Sequence, residues 1–323
     1  MKAIVQDRYG SADVLELREL EPPVVGDDDV LVQVHAAGVD PGVWHLMTGL
    51  PYLVRLMGYG LRRPKVGVRG RDVAGRVEAV GENVTLFKPG DEVFGTCEGS
   101  FAEYATARED KLALKPSNLS FEQAAAVPIS GMTALQAVRD NGRVQPGHKV
   151  LIIGAGGGVG TFAVQIAKTF GAEVIGVCST AKIDLVRSLG ADHVIDYTRE
   201  DFVESPRRYD VIIDNAGNRS LSQLRRALTP KGGLVIVGGE GGGNWLGPAD
   251  RILPALLLSP FVGQKLGALM SVERQEDLLT LGEMLEAGQV TPVIDRGYPL
   301  IEAPDAVRYV GEGHAAGKVV VTI

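Results

Sequence analysis

The segment Val150-Leu151-Ile152-Ile153-Gly154-Ala155-Gly156-Gly157-Gly158-Val159-Gly160 decides the fold class. A short apolar run of the buried-strand type stops at a cluster in which five of seven residues are glycine. The stretch that follows, Thr161–Phe170, sets Val164, Ile166 and Ala167 on an apolar helical face. Strand, glycine turn and helix in that order form the context in which a dinucleotide pyrophosphate sits on a helix N-terminus. The spacing is not G-x-G-x-x-G. It reads Gly154-x-x-Gly157-x-x-Gly160, or Ala155-x-Gly157-x-x-Gly160. A small residue still makes the tight turn, Gly157 lets backbone amides approach a pyrophosphate, and Gly160 lets helix and strand pack closely. Gly158 and Val159 complete the phosphate-facing turn. The bland alternative is a strand-to-helix turn that binds nothing.

Downstream the pattern repeats. Glu173–Cys178, His193–Tyr197, Asp210–Asn215 and Leu234–Val237 read as strands, with helices over Lys182–Leu189 and Leu221–Leu228. Continuous apolar strands alternating with helices imply a parallel, doubly wound sheet. Upstream the chain reads as β-rich. Val30, Val32 and Val34 alternate with Leu31, Gln33 and His35, and Val73–Val80 and Phe101–Thr106 are further strand-like runs. Turn signals such as Pro89-Gly90-Asp91 separate them, which suits a small barrel or sandwich. Near Leu119 the style changes, and Ser120 with Gln123 forms a capping-box pair. After Met270 come a helix over Arg274–Ala287, a strand near Val293, a helix over Ala303–Val310 and a last strand over Lys318–Ile323. The expected fold is α/β. A β-rich domain spans 1–121, a doubly wound domain spans 122–265, and 266–323 returns to the first.

Composition narrows the class. The chain has 323 residues, a formal net charge of −7, two cysteines and 42 glycines. That glycine share is nearly twice the usual value of roughly 7%. Eight of the sixteen residues 232–247 are glycine, around the Leu234–Val237 strand end, and the Gly241-Gly242-Gly243 run reads as a mobile loop. Cys97 and Cys178 are too few for a disulfide framework or a four-cysteine zinc site. The acidic balance argues against nucleic-acid binding. The apolar stretch Leu253–Val262 is interrupted by Pro254 and Pro260 and is too short to span a bilayer. The expectation is a cytoplasmic protein with no membrane or nucleic-acid partner.

Cofactor choice turns on the tip of the second parallel strand. Sites that prefer NAD place Asp or Glu there, about 20 residues past the glycines. Here the strand ends Gly176-Val177-Cys178-Ser179-Thr180, with Lys182 next and no acid. Hydroxyls and an ammonium suit a 2′-phosphate, so NADPH is favoured. The alternative is that Ser179 or Thr180 merely caps the next helix. Tyr197, ending the third strand, is placed to lie over the phosphoadenosine end. Gly217 and Gly238 follow strand ends that border a cofactor cleft.

Further motifs run in order along nearly the whole chain: Gly38-Val39-Asp40-Pro41, Gly70-Arg71-Asp72-Val73-Ala74-Gly75, Pro89-Gly90-Asp91-Glu92-Val93-Phe94-Gly95, Gly131-Met132-Thr133-Ala134-Leu135, Leu189-Gly190-Ala191-Asp192 and Gly317-Lys318-Val319-Val320. With the glycine loop they make the chain resemble the medium-chain dehydrogenase/reductase superfamily, in its zinc-free quinone oxidoreductase branch. The resemblance implies a GroES-like β-barrel domain entered by both termini, plus a Rossmann domain. It also bears on metal. Asp40 stands at the first cysteine position of the zinc enzymes, Arg71 at the histidine, and Ile129 near the second cysteine. No metal is expected, and His45 alone is more often a polar helix or loop residue.

Without zinc to polarise a carbonyl, the implied chemistry is hydride transfer from NADPH to a quinone or an α,β-unsaturated carbonyl. The alternatives are a pathway-specific enoyl reductase and a non-catalytic dinucleotide-binding protein. The resemblance places Asp40 beside the nicotinamide ribose or substrate and Thr133 near the carboxamide or diphosphate. It places Trp44 and Tyr52 in the loop lining the substrate cleft, with Tyr52 the nearby phenol able to deliver a proton. Packing is the competing reading for both aromatics. Lys318 is implied to close over the 2′-phosphate, or else to be a solvated strand start. A homodimer through the Rossmann sheet edge, near the segment after Val237 and Leu253–Val262, is also implied.

Between Arg55 and Arg71 the chain carries Arg55, Arg62, Arg63, Lys65, Arg69 and Arg71 and no acid. Either this is a solvated loop, or it steers an anionic substrate such as an acyl-CoA.

Overall fold

The computed structural model describes residues 1–239, 243–247 and 249–323, so Gly241 and Gly242 of the glycine run lie outside the described residues. The chain divides into two units: Met1–Met132 with Glu273–Ile323, and Thr133–Val272.

In the first unit, β1 (Lys2–Val5) pairs antiparallel with β2 (Glu16–Glu19). A larger antiparallel array follows from β3 (Asp29–Val39), β4 (Asp72–Val80), β5 (Glu92–Thr96), β6 (Tyr104–Arg108) and β7 (Leu112–Leu114). β3 is the hub, pairing with both β4 and β6. Its alternation explains this: Val30, Val32 and Val34 point into an apolar cluster with Val73, Val77 and Val93, while Gln33 is exposed. The expected strand Phe101–Thr106 begins later, because Phe101 is used locally. Its N–H donates to Arg69 O at 2.8 Å and its carbonyl accepts from Ile4 N at 2.8 Å.

The second unit contains β8 (Lys149–Ile153), β9 (Glu173–Cys178), β10 (His193–Asp196), β11 (Tyr209–Asp214), β12 (Leu228–Ile236) and β13 (Lys265–Ala268). They form a six-stranded parallel sheet in the order β10-β9-β8-β11-β12-β13. Counted from β8, that is the doubly wound order 3-2-1-4-5-6, which reverses between β8 and β11. Ligands of such sheets bind beyond the carboxyl ends of the strands at that reversal.

β14 (Ile294–Pro299) and β15 (Lys318–Thr322) then rejoin the first unit, with β15 antiparallel to β3. The unit boundaries fall later than the expected 122–265. The sixth strand, Lys-Leu-Gly-Ala, lacks an apolar run, so its pairing with β12 was not legible in the sequence. At the other end, the helix Phe121–Ala125 carries the expected Ser120/Gln123 capping box, and Ile129 N donates to Asp72 Oδ1 at 2.9 Å. Those bonds keep residues up to Met132 with the first unit.

Candidate functional site

The glycine loop sits at the carboxyl end of β8 and leads into the helix Gly158–Thr169. Gly154 has φ +77°, a conformation that favours glycine. A Cβ on Gly160 would lie 2.1 Å from Gly154 O and 2.8 Å from Ala155 Cα, so only hydrogen fits. A Cβ on Gly157 would meet only Gly154 O, at 3.5 Å, so the space in front of it is open. Gly157 is the N-cap, and no side chain caps the helix. Its first turn, including Gly158 and Val159, holds no acid. The N–H groups of that turn lack intrahelical partners and carry the positive end of the helix dipole. A pyrophosphate fits this cradle.

The neighbouring strand ends fit the same ligand. Asn215, just past β11, donates from N and Nδ2 to Ile153 O at 3.1 and 3.0 Å, bridging the reversal point. Gly217 has φ +69°, and its N–H donates to Asp214 Oδ1 at 3.0 Å. Asp214 is fully buried and pairs with Arg251 at 2.7 Å. Arg251 also donates to Gly238 O at 3.0 Å, so one guanidinium ties the ends of β11 and β12 together. An acid closing the run Val211-Ile212-Ile213-Asp214 was the only sequence sign of this network; nothing marked Arg251.

At the tip of β9, Ser179 precedes a helical turn without capping it. Lys182 lies against the loop, where a Cβ on Gly156 would fall 2.8 Å from Lys182 Cδ. Tyr197 is half exposed, and its N–H donates to Cys178 O at 3.1 Å. No acid directly follows β9 itself, but an acid of the next strand reaches this tip. Asp196, ending β10, accepts from Thr180 Oγ1 at 2.6 Å. Its other oxygen accepts from Thr198 N and Oγ1 at 3.0 and 2.7 Å. The Thr180 hydroxyl bond, with those from Thr198, holds Asp196 below the usual carboxylate range. The acid is present on the adjacent strand, with each oxygen accepting from a threonine. Cys178, buried beside it, has its thiol pushed up to about 11. Thr133, on the helix Pro128–Gln136, is buried.

In the first unit the expectations change more. Lys318 is not at a 2′-phosphate and not solvated. It is 2% exposed, and Nζ donates to Asp72 Oδ2 at 3.0 Å. Burial raises Asp72 to about 6 against the pull of that ammonium. Trp44 is half-buried; its ring packs against an apolar cluster and fills the space a Cβ on Gly311 would need, 2.6 Å away. Tyr52 lies under the Arg55 guanidinium at 4.8 Å, with Tyr9 at 4.3 Å, which makes its ring part of a stacked cluster. Asp40 is the N-cap of the helix Pro41–Thr48, accepting from Gly42 N at 2.6 Å, while its Oδ2 is buried without a partner. Arg71 is paired with Glu273, and Glu273 also accepts from Thr96 Oγ1 at 2.9 Å. Beside these residues lies a pocket of about 290 Å³, lined in part by Val43, Leu46, Val68, Arg69 and Arg71.

The chain matches known proteins along its length. Residues 26–117 match the alcohol dehydrogenase GroES-like domain, and 189–321 match a zinc-binding dehydrogenase domain. It is 33% identical to quinone oxidoreductase of Homo sapiens, over 100% of this chain and 98% of that protein. It is 35% identical to 2-methylene-furan-3-one reductase of Solanum lycopersicum, over 99% of this chain and 79% of that protein. The solved quinone oxidoreductase of Coxiella burnetii has 30% identity and a TM-score of 0.88, covering 100% and 99% of the two chains. The Escherichia coli quinone oxidoreductase complexed with NADPH has 25% identity and a TM-score of 0.86, covering 100% of both.

One matching domain is named for zinc, and the residues here do not fit that ion. Asp40 uses one oxygen in a helix cap, Arg71 is a cation paired with Glu273, and the Ile129 side chain has no ligand atom. His45 Nδ1 is bonded to Leu50 O at 2.8 Å. Burial pushes the Cys97 thiol far up, which disfavours the thiolate a metal needs. Among the described residues no group of three or more His, Cys, Asp or Glu side chains is placed to hold a metal. The glycine cradle, by contrast, fits a nicotinamide dinucleotide, and the relatives are oxidoreductases. With the GroES-like and Rossmann-like units both present and the match running end to end, the chain belongs to the medium-chain dehydrogenase/reductase superfamily.

Proposed function

We propose that this protein is a zinc-independent, NADPH-dependent reductase that delivers hydride to a quinone or an α,β-unsaturated carbonyl. The observation that carries the reading is the uncapped helix N-terminus behind Gly157, where the loop leaves room for a pyrophosphate and for nothing bulkier than hydrogen at Gly160. The names of the relatives in quinone and furanone reduction support the acceptor class.

Gly157, Gly158, Val159 and Gly160 hold the pyrophosphate through backbone N–H groups. Ser179 and Lys182 take the 2′-phosphate, with Tyr197 over the adenosine end. Gly217 and Gly238 give the cofactor close access to the strand ends, and Thr133 lies on the nicotinamide side. The bound nicotinamide supplies the hydride. The protein's share is orientation and exclusion of water.

Beside the edge strand β13, the helix Ala249–Leu258 and the turn Ser259–Phe261 expose Leu256, Leu257 and Phe261 at 50%, 72% and 85%. Exposed apolar patches of this kind mark interfaces, and a homodimer through this edge is part of the proposal. Among the described residues no helix is long and apolar enough to cross a membrane.

The test is NADPH oxidation against 1,4-quinones, enals, enones and enoyl-CoAs, with product identification, beside equilibrium titration with NADPH and NADH. Turnover of quinones or enones with tighter NADPH binding is expected. Failure to bind NADPH would overturn the enzyme reading, and equal affinity for NADH would overturn the roles of Ser179 and Lys182.

A further inference from the structure

The tip of β9 carries an acid to which the cofactor reading gives no role. Asp196 ends β10 in register with Cys178, the last residue of β9, and its side chain is 7% exposed. Its carbonyl accepts from Arg199 N and Glu200 N, both at 3.0 Å, which fixes the turn that follows. Oδ1 accepts from Thr198 N and Oγ1, and Oδ2 accepts from Thr180 Oγ1 at 2.6 Å. The Arg199 Nε stands 3.5 Å from Oδ2, on a side chain that is 75% exposed. The hydrogen bonds from both threonines hold Asp196 below the usual carboxylate range, so it is ionised at neutral pH.

An ionised carboxylate only accepts, and a hydroxyl has one proton to give. The Thr180 proton therefore goes to Oδ2 and the Thr198 proton to Oδ1. The two hydroxyl oxygens lie 3.1 Å apart with no proton left for each other. Toward a ligand, Thr180 Oγ1 is an acceptor alone. Thr180 lies between Ser179 and Lys182 in the chain, and Lys182 lies against the glycine loop. A fixed negative charge and an acceptor-only hydroxyl thus stand within the segment assigned to the 2′-phosphate. A phosphate monoester carries about −1.5 to −2 charge at neutral pH and is rich in acceptors, whereas a ribose hydroxyl can donate.

We propose that Asp196 is a specificity-determining residue that restrains the preference for the phosphorylated cofactor, its carboxylate repelling a 2′-phosphate and fixing Thr180 as an acceptor for a ribose 2′-hydroxyl. The proposal rests on the cofactor reading above and goes beyond it. Ser179 and Lys182 favour NADPH, Asp196 works against them, and the bias between the two dinucleotides is the difference. Three consequences of Asp196→Asn give the sign. The negative charge is gone. The new amide donates to Thr180 Oγ1, which frees the Thr180 proton for a phosphate. Arg199 loses the carboxylate beside it and becomes available to the same anion. All three favour the 2′-phosphate.

The experiment measures Kd for NADPH and NADH by calorimetry in wild type, Asp196→Asn, Thr180→Val and the double variant. Its readout is the ratio of the two constants on one protein, so a loss of folded fraction cancels. Asp196→Asn is expected to raise the preference for NADPH about three- to tenfold, the scale of one like charge several ångströms away in a partly screened site. Thr180→Val alone should leave NADPH affinity unchanged and weaken NADH. In the Asp196→Asn background the same change should take back part of the NADPH gain, a coupling that two independent surface effects would not show. An unchanged or reduced NADPH preference in Asp196→Asn overturns the proposal. So does a loss of NADPH affinity in Thr180→Val with Asp196 in place, since the hydroxyl would then already donate to the phosphate. Thr180→Val leaves Asp196 and its Thr198 bonds intact, and it remains as the test if Asp196→Asn does not fold. A wild type that prefers NADPH, with a ratio that Asp196→Asn does not move, sinks this proposal and spares the cofactor reading. A wild type that binds neither dinucleotide sinks both.

Discussion

Asp72 and Lys318, far apart in sequence, meet as a buried pair at 3.0 Å, and breaking such a pair costs about 3–5 kcal/mol. The two halves are not equivalent. Asp72 has its folded pKa raised to about 6, above the roughly 3.9 of an unfolded chain. A raised group contributes stability that is full below the unfolded value and lost as pH rises through the folded one. Lys318→Met leaves a carboxyl that can take up a proton, so its deficit against wild type should be small near pH 5 and widen toward pH 8. Asp72→Asn strands an ammonium, and acid gives it no such relief. Urea denaturation of both variants at the two pH values checks this; equal deficits at both would refute it. Lys182 is tested separately. Lys182→Met should weaken NADPH about tenfold, near 1.4 kcal/mol, and NADH far less. A matching loss for both cofactors in a fluorescence titration would remove its 2′-phosphate role. None of the tertiary partners of these residues was legible. Lys318 read as a phosphate ligand or solvated lysine because nothing local announces that Asp72 lies across the sheet from it. Arg69 read as one of six similar bases, and only burial separated it from the others.

The strand–loop–helix element β8 to Gly158–Thr169 makes a sharper prediction, since its glycines do different work. Gly160→Ala places a methyl 2.1 Å from Gly154 O, a backbone clash that should destabilise the second unit by about 1–3 kcal/mol. Gly157→Ala meets only one atom, at 3.5 Å, and its φ of −97° suits alanine. It should fold normally and lose NADPH affinity about tenfold if the proposed pyrophosphate site is correct, because the methyl would stand in it. Melting temperature separates the two from each other, and a Gly157→Ala protein with native affinity would show that the loop binds nothing. The strand was read to within one residue and the helix three residues late at its start, and the Ser120 capping box was read at its residues, because each is written within a few consecutive positions. Tyr104–Arg108 was displaced and Lys265–Ala268 missed for the opposite reason: their pairing partners, not their composition, make them strands.

For the molecule as a whole, two units with distinct sheets share one chain that leaves and re-enters the first. The exposed row Leu256, Leu257 and Phe261 at the sheet edge of the second unit predicts association. Wild type should sediment as a dimer, and Leu257→Glu with Phe261→Glu should shift it to monomer while the parallel sheet stays folded. A monomeric wild type would retire the interface.

The sequence by itself determined the two kinds of sheet, the return of the tail and the glycine loop between strand and helix. These rest on period, turn chemistry and glycine placement, which are local and survive without knowledge of the fold. Only the tertiary structure decided that Trp44 packs and Tyr52 stacks, that Lys318 is consumed by Asp72, that Asp196 reaches the tip of β9, and that Arg69 is buried. Those outcomes depend on which distant residues share a dielectric environment and who satisfies whose hydrogen bonds, and no spacing along the chain encodes them.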